Sequence, residues 1–190
     1  MRILALSGSL RAASSNTAVL RLAARIAPAP MRVELLDGLD KLPFFNPDLD
    51  RALDDPALPP TVRALRSVIA SADALLISSP EYAHGVSGMF KNALDWLVGG
   101  SEMPDKSVAL INTSPHATHA IAALAETLRT MSVSLVDDAC LTIALPRGAS
   151  DEELAANNAV TAPLLAALRA LEMASQVQVL RCAQDDNLSS

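Results

Sequence analysis

The chain has 190 residues, enough for one domain with a substantial core, and 51% of them are hydrophobic while only 3% are aromatic. Ala, Leu, Val and Ile must therefore build that core, as stacked helices and buried strands. A formal charge of −6 and a pI near 5.0 give no basic footprint for nucleic acid, and no apolar run matches a membrane span or a signal peptide, so a cytoplasmic protein with neither partner is expected.

The chain opens on an apolar strand, Ile3 to Leu6, that runs into a hydroxyl-rich loop, Ser7 to Asn16. The apolar residues that follow Thr17, from Ala18 to Ile26, have helical spacing, so the loop ends at a helix N-terminus. Met31 to Leu36 alternates as a second strand before the turn signal Asp37-Gly38. Leu42 to Pro60, with five prolines and several aspartates, reads as a long surface connection. A helix is expected over Thr61–Ser71 and a buried strand over Asp73–Ser79. Beyond them come a helix from about Ser87 to Val98, a strand over Ser107–Asn112 and a helix from about Thr118 to Met131. A broken strand region from Val133 to Ile143 and a last helix from about Asp151 to Ser175 complete the alternation.

Strands that alternate with helices in this way imply a parallel sheet with helices on both faces. The expected architecture is α/β: a flavodoxin-like three-layer sandwich with a five-stranded parallel sheet in the order 2-1-3-4-5. Residues 1–175 form the single expected domain, and 176–190, where helical periodicity drops, a solvated or partly ordered tail. In such a sheet ligands sit beyond the carboxyl ends of strands 1 and 3, where the winding reverses. Cys140 and Cys182 stand far apart with no CxxC and read as reduced packing residues; His84, His116 and His119 share no zinc spacing, and no metal is expected.

The opening loop suits an anion. Hydroxyls at Ser7, Ser9, Ser14 and Ser15, the amide of Asn16 and the guanidinium of Arg11 meet the free N–H groups of a helix start. Charge-assisted bonds from Arg11 would each contribute roughly 1.5–3 kcal/mol net. The alternative is a capped turn whose serines only satisfy the helix end. No Gly-Lys-Ser/Thr ending and no G-x-G-x-x-G run is present, which leaves a terminal monophosphate held by side-chain hydroxyls, as in FMN.

The third strand empties into SSPEYAHGVSGMFKNALDWL. Pro80 fixes the exit direction, Glu81, Tyr82 and Ala83 lie over the switch point, and Gly85 and Gly88 permit close approach of backbone to a flat ring. Lys91 and Asp95 form an i,i+4 pair, and Trp96 reads as a packing or subunit-interface residue. His84 either is solvated or reaches a substrate, and His116 and His119 lie where a ligand could be touched.

These two stretches carry a resemblance. GSLRAASSN resembles the GSLR-x-x-S-x-N phosphate motif of the NADPH-dependent FMN reductases, and PEYAHGVSGMFKNALDW is similar to their PEYN-x-S-x-P-G-x-LKNA-[IL]-DW segment. Asn112 to His119, leading to Leu128-Arg129, falls where that family has its loop after strand 4, so the resemblance spans Arg2 to about Ala174. It implies that Ser9, Arg11, Ser14, Ser15 and Asn16 hold the FMN phosphate, that Pro80, Glu81, Tyr82 and Ala83 bound the flavin ring, and that Ser114 contacts the flavin. Ala83 stands where the family usually has Asn, Gly85 where it has Ser, Ser87 where it has Pro, and Ala13 where it often has Gly.

The resemblance further implies that NADPH or NADH reduces bound FMN and is replaced by a small acceptor such as free flavin, quinone, an azo compound or chromate, in a homodimer or homotetramer. No protein nucleophile is required when the flavin carries the chemistry, and there is no G-x-S-x-G elbow or evident carboxylate pair for hydrolysis. The competing readings are a flavodoxin-like electron carrier or FMN-binding module without nicotinamide activity, and a flavin-free scaffold.

Overall fold

The computed structural model describes residues 1–146 and 148–188, with side chains to residue 178. Four parallel strands form the centre: β1 (Arg2–Ser7), β2 (Arg32–Leu35), β3 (Ala74–Ser78) and, after a hairpin described below, β6 (Ser107–Asn112). β1 lies between β2 and β3, and β6 pairs with β3 on the other side. The short strands β7 (Ser134–Leu135) and β8 (Leu141–Thr142) each add to β6, giving a sheet of six strands in the order β2-β1-β3-β6-β7 with β8 also against β6.

The count corrects the expected five. The chain order across the sheet is the anticipated one, but a 3-10 turn at Asp137–Ala139 cuts the last strand into two pairs of residues. Two adjacent aspartates in that segment disfavour a continuous extended run.

Alternation along the strands divides the core into two layers. Ile3, Ala5, Ala74, Leu76, Ala109 and Ile111 face α1 (Ser15–Ile26), α5 (Asp151–Ala156) and α6 (Asn158–Leu188). Leu4, Leu6, Leu75, Ile77, Val108 and Leu110 face α2 (Pro60–Ala70), α3 (Gly88–Leu97) and α4 (Thr118–Thr130). Helices thus cover both faces, as an apolar central strand requires.

The single last helix expected from Asp151 to Ser175 is broken at Asn157 into α5 and α6, and α6 runs past its expected end. Its buried residues Val160, Leu164, Ala167, Leu168, Leu171 and Ser175 form one stripe that ends where the helix was expected to end. The helix nevertheless continues to Leu188, because no Gly or Pro after Ser175 stops it. Ser175 donates to the Asp73 carbonyl, and Ser107 and Gln178 are 3.0 Å apart, so the first turn past the stripe is still tied to the sheet. The side chain of Cys182 lies outside the described residues. Cys140 is half-buried and free, and burial pushes its thiol pKa up.

The proline-rich connection is held down from inside. Trp96 is fully buried, donates from Nε1 to the Pro43 carbonyl at 2.8 Å, and meets the edge of Phe45 at a centroid distance of 5.1 Å. It packs within its own chain. Arg66, 2% exposed, donates to the carbonyls of Trp96 and Arg51 and to Asp50, so α2 grips both α3 and the connection. Among the described residues no helix is long and apolar enough to cross a membrane.

Candidate functional site: a cleft at the carboxyl edge of the sheet

At the carboxyl ends of β1, β3 and β6 lies a cleft of about 1000 Å³. Three loops meet there. The first, after β1, brings Ser9, Arg11, Ser14, Ser15 and Asn16; the second, after β3, brings Pro80, Glu81 and Tyr82; the third, after β6, brings Ser114. Ala83 is the one expected site residue that does not line the cleft.

The first loop is anchored by its own hydroxyls. Ser7 and Thr17 share a hydrogen bond at 2.8 Å across the base, and Ser7 Oγ also accepts from the Ser9 amide. Ser14 is the N-cap of α1: its Oγ accepts from the Thr17 amide, and its carbonyl accepts from that of Ala18. The amides of Ser15 and Asn16, which point out of the helix end, have no partner among the described residues. The first turn of α1 has no acidic residue. Gly8 is required here because a Cβ at that position would lie 2.3 Å from Ser79 Oγ, so loops one and two touch through it.

Asn16 is buried and works in two directions. Its Oδ1 accepts from Ser78 Oγ at 2.9 Å and Thr113 Oγ1 at 3.2 Å, tying all three loops together, while Nδ2 has no partner among the described residues. Ser15 Oγ lies 3.0 Å from Thr113 Oγ1. Arg11 is exposed, and no acceptor among the described residues pairs with its guanidinium. Two amides, an Asn donor, serine hydroxyls and a free guanidinium form a donor set suited to a phosphate. The two carboxylates in the cleft each have a partner. Glu81 accepts from the Ala120 amide at 2.8 Å, and Asp151 lies 3.3 Å from Arg21 Nε.

The second loop is a hairpin that periodicity did not reveal. β4 (Glu81–Tyr82) pairs antiparallel with β5 (Gly85–Val86), and the two-residue tip, Ala83 and His84, has φ of +48° and +59°. Positive φ at both tip residues is the geometry of a type I′ turn, where Asn is comfortable and Ala is strained. The residue at 83 therefore shapes the turn. Glu81 also has a role that its position alone did not indicate, since its carboxylate caps the start of α4 and fixes the hairpin against it. His84 and His119 stack with centroids 4.4 Å apart at the same junction, while His116 lines the cleft. Ser87, buried at the end of the hairpin, donates to the Gly8 carbonyl at 2.7 Å and so clamps loop two onto loop one. A polar residue between two glycines was the only sequence signal for that clamp.

Lys91 and Asp95 do pair on α3, away from the cleft lining. Among the described residues no three His, Cys, Asp or Glu side chains gather as metal ligands do.

Known proteins resemble the chain over the part that carries these loops. The sequence model of the NADPH-dependent FMN reductases matches residues 1–143. The chain is 39% identical over 116 residues to an NAD(P)H-dependent FMN reductase of Pseudomonas aeruginosa, a match covering 60% of each. It is 39% identical over 118 residues to a quinone reductase of Escherichia coli, again 60% of each. The chain thus spans about 60% of the length of these relatives. A flavoenzyme NAD(P)H:(acceptor) oxidoreductase from Paracoccus denitrificans superposes with a TM-score of 0.73 over 93% of this chain and 98% of its own, at 26% identity. The azoreductase AzrA shares the fold at a TM-score of 0.53, 16% identity and coverage of 94% and 99%. Because residues 1–143 contain all three loops that converge on the cleft, the match falls on the site as well as on the sheet, and the chain belongs to the NADPH-dependent FMN reductase family.

Proposed function

We propose that this protein is an NAD(P)H-dependent FMN reductase, which passes a hydride from NADPH or NADH through bound FMN to a small acceptor. The acceptors in view are free flavin, quinone, an azo compound or chromate. The observation that carries the reading is the donor set at the head of α1: unpaired amides of Ser15 and Asn16, Asn16 Nδ2 and the free Arg11 guanidinium, facing the hairpin across one cleft. Phosphate fits that set, and a flat ring fits the strip between Pro80 to Tyr82 and Ser114.

FMN, when bound, supplies the centre that accepts and donates the hydride. The chain's own residues do the rest. Ser9, Ser14, Ser15, Asn16 and Arg11 would hold the phosphate. Pro80 and the backbone of Glu81 and Tyr82 would bound the ring, and Ser114 would contact it from the third loop. Ala83 acts only through the turn it closes. Tyr82, 56% exposed, would stand on the side from which nicotinamide and acceptor enter in turn.

Residues 1–175 form the flavin-binding unit, to which the remainder of α6 is appended. A cytoplasmic homodimer or homotetramer is the expected form, and the exposed apolar side chains of Phe44 and Val98 support an interface. Anaerobic mixing of the FMN-loaded protein with NADPH tests the proposal. The expected result is loss of the flavin's visible absorbance, followed by its return when a quinone is added, with parallel double-reciprocal lines in steady state. Flavin that stays oxidised would show an electron carrier, and protein that takes up no FMN would show a scaffold.

A further inference from the structure

Ser87 occupies the N-cap of α3, the place where a serine ordinarily turns its Oγ back to accept from an amide of the first helical turn. No such bond is made. The hydroxyl instead reaches a residue 79 positions away in the chain and donates to the Gly8 carbonyl at 2.7 Å, with both residues buried. A local cap is exchanged for a long-range tie. Pro, which stands at this position in the family segment that the chain resembles, has no hydroxyl and could make neither bond.

Gly8 is where such a tie has most effect. Its N–H donates to the Ser78 carbonyl at 2.8 Å, and its carbonyl takes no other donor among the described residues. The peptide that joins Gly8 to Ser9 is trans, so its carbonyl and its N–H point opposite ways, the first to Ser87 and the second to Ser7 Oγ at 3.3 Å. Holding the carbonyl therefore holds the direction in which the chain enters Ser9 and the rest of the first loop. Glycine has no Cβ to restrict that peptide, and its buried carbonyl would be left unsatisfied without Ser87 unless the peptide turned. Among the side-chain hydrogen bonds of the described residues, this is the one that joins the hairpin end to the first loop. At the other end of the hairpin Glu81 is tied to α4 instead.

We propose, on the flavin reading above, that Ser87 is a positioning residue, which holds the phosphate loop and the ring loop at the one separation that a single FMN molecule spans. Each half of FMN has its own loop, the phosphate the first and the ring the second. A ligand that fills both gains over its separate halves only as far as the loops keep a fixed spacing, because the second contact is then made at a high effective concentration. Ser87 does not line the cleft. Its loss is therefore felt by the whole ligand and not by either part.

Calorimetric titration of the full chain, stripped of flavin, with FMN and with riboflavin tests this, alongside phosphorus NMR line broadening with inorganic phosphate. Ser87→Ala removes the hydroxyl. Ser87→Pro removes it and keeps the start of α3, since φ at this residue is already −56° and its N–H has no acceptor among the described residues. Ser87→Thr retains a hydroxyl. In the Ala and Pro variants FMN is expected to weaken about tenfold, with riboflavin and phosphate each within about twofold of the parent. The Thr variant should keep all three within about twofold. Unchanged FMN affinity in Ser87→Pro would overturn the assignment, because the hydroxyl would then be inert. Riboflavin or phosphate weakened as much as FMN would also overturn it, in favour of a general loosening of one loop. Parent protein that binds phosphate and neither flavin would instead remove the flavin reading itself.

Discussion

Arg11 and Arg66 carry the same guanidinium into opposite surroundings. Arg66 is buried, and its nitrogens donate to the carbonyls of Trp96 and Arg51 and to Asp50 at 2.6–3.0 Å, with Glu102 Oε1 3.2 Å from Nε. Arg11 stands at the mouth of a cleft with no acceptor among the described residues. The difference separates a guanidinium spent on the fold from one left free. Donors already used inside the protein have none to offer, whereas a loop that leaves amides, an Asn donor and a guanidinium free can offer them to water or to a ligand.

The Arg66 side of the comparison predicts the largest effect. Arg66→Met should destabilise the protein by about 3–5 kcal/mol in urea denaturation, because it leaves Asp50 and Glu102 without their cation near the core. A loss below about 1 kcal/mol would show that the cluster contributes little. At the other site, Arg11→Ala should weaken FMN about tenfold, equivalent to roughly 1.4 kcal/mol, in a fluorescence titration. Its unfolding free energy should stay within about 0.5 kcal/mol of the parent. A variant that lost stability and kept its affinity would reverse the two roles.

Glu102 sharpens the comparison through pH. Burial raises its pKa from the usual 4.5, against the pull of Arg66, and although Oε1 is within ion-pair distance of Nε it receives no hydrogen bond. The folded state therefore binds this proton more tightly than the unfolded chain does. Its contribution to stability is fully present below pH 4.5 and is lost as pH rises through the elevated folded value. The stability of the parent minus that of Glu102→Gln should fall across that interval, by about 1.4 kcal/mol for each unit by which the pKa is raised. A flat difference would mean that Arg66 fully compensates the charge.

The smallest expected effect is at the hairpin tip. Ala83→Asn should raise stability by up to about 1 kcal/mol by relieving a residue at φ +48°, and should leave FMN affinity unchanged. A clear gain in affinity would return residue 83 to the ligand site.

The strands and helices were legible wherever periodicity is long. Ser107–Asn112 was placed to the residue, and α1 to α4 to within one or two, because an apolar stripe and a cap are local properties. The breaks in legibility have local causes too. The β4–β5 hairpin has only two residues per strand, too few for a period to register, and the divided last strand gave only a broken signal. Helix α6 outran its stripe because nothing in the sequence stops it, while burial, not helicity, is what a stripe reports.

The sequence by itself determined the α/β alternation and the donor chemistry of the first loop, since which hydroxyls, amide and guanidinium stand ahead of the apolar helix is fixed by residue type. Only the tertiary structure decided which of those groups remain free. Ser14 Oγ accepts from the helix start and keeps only its O–H to give, Glu81 caps α4, Ser87 clamps Gly8, and Arg21 pairs with Asp151. Hydrogen-bond capacity is set by residue type, but its use is set by neighbours that lie tens of residues away along the chain.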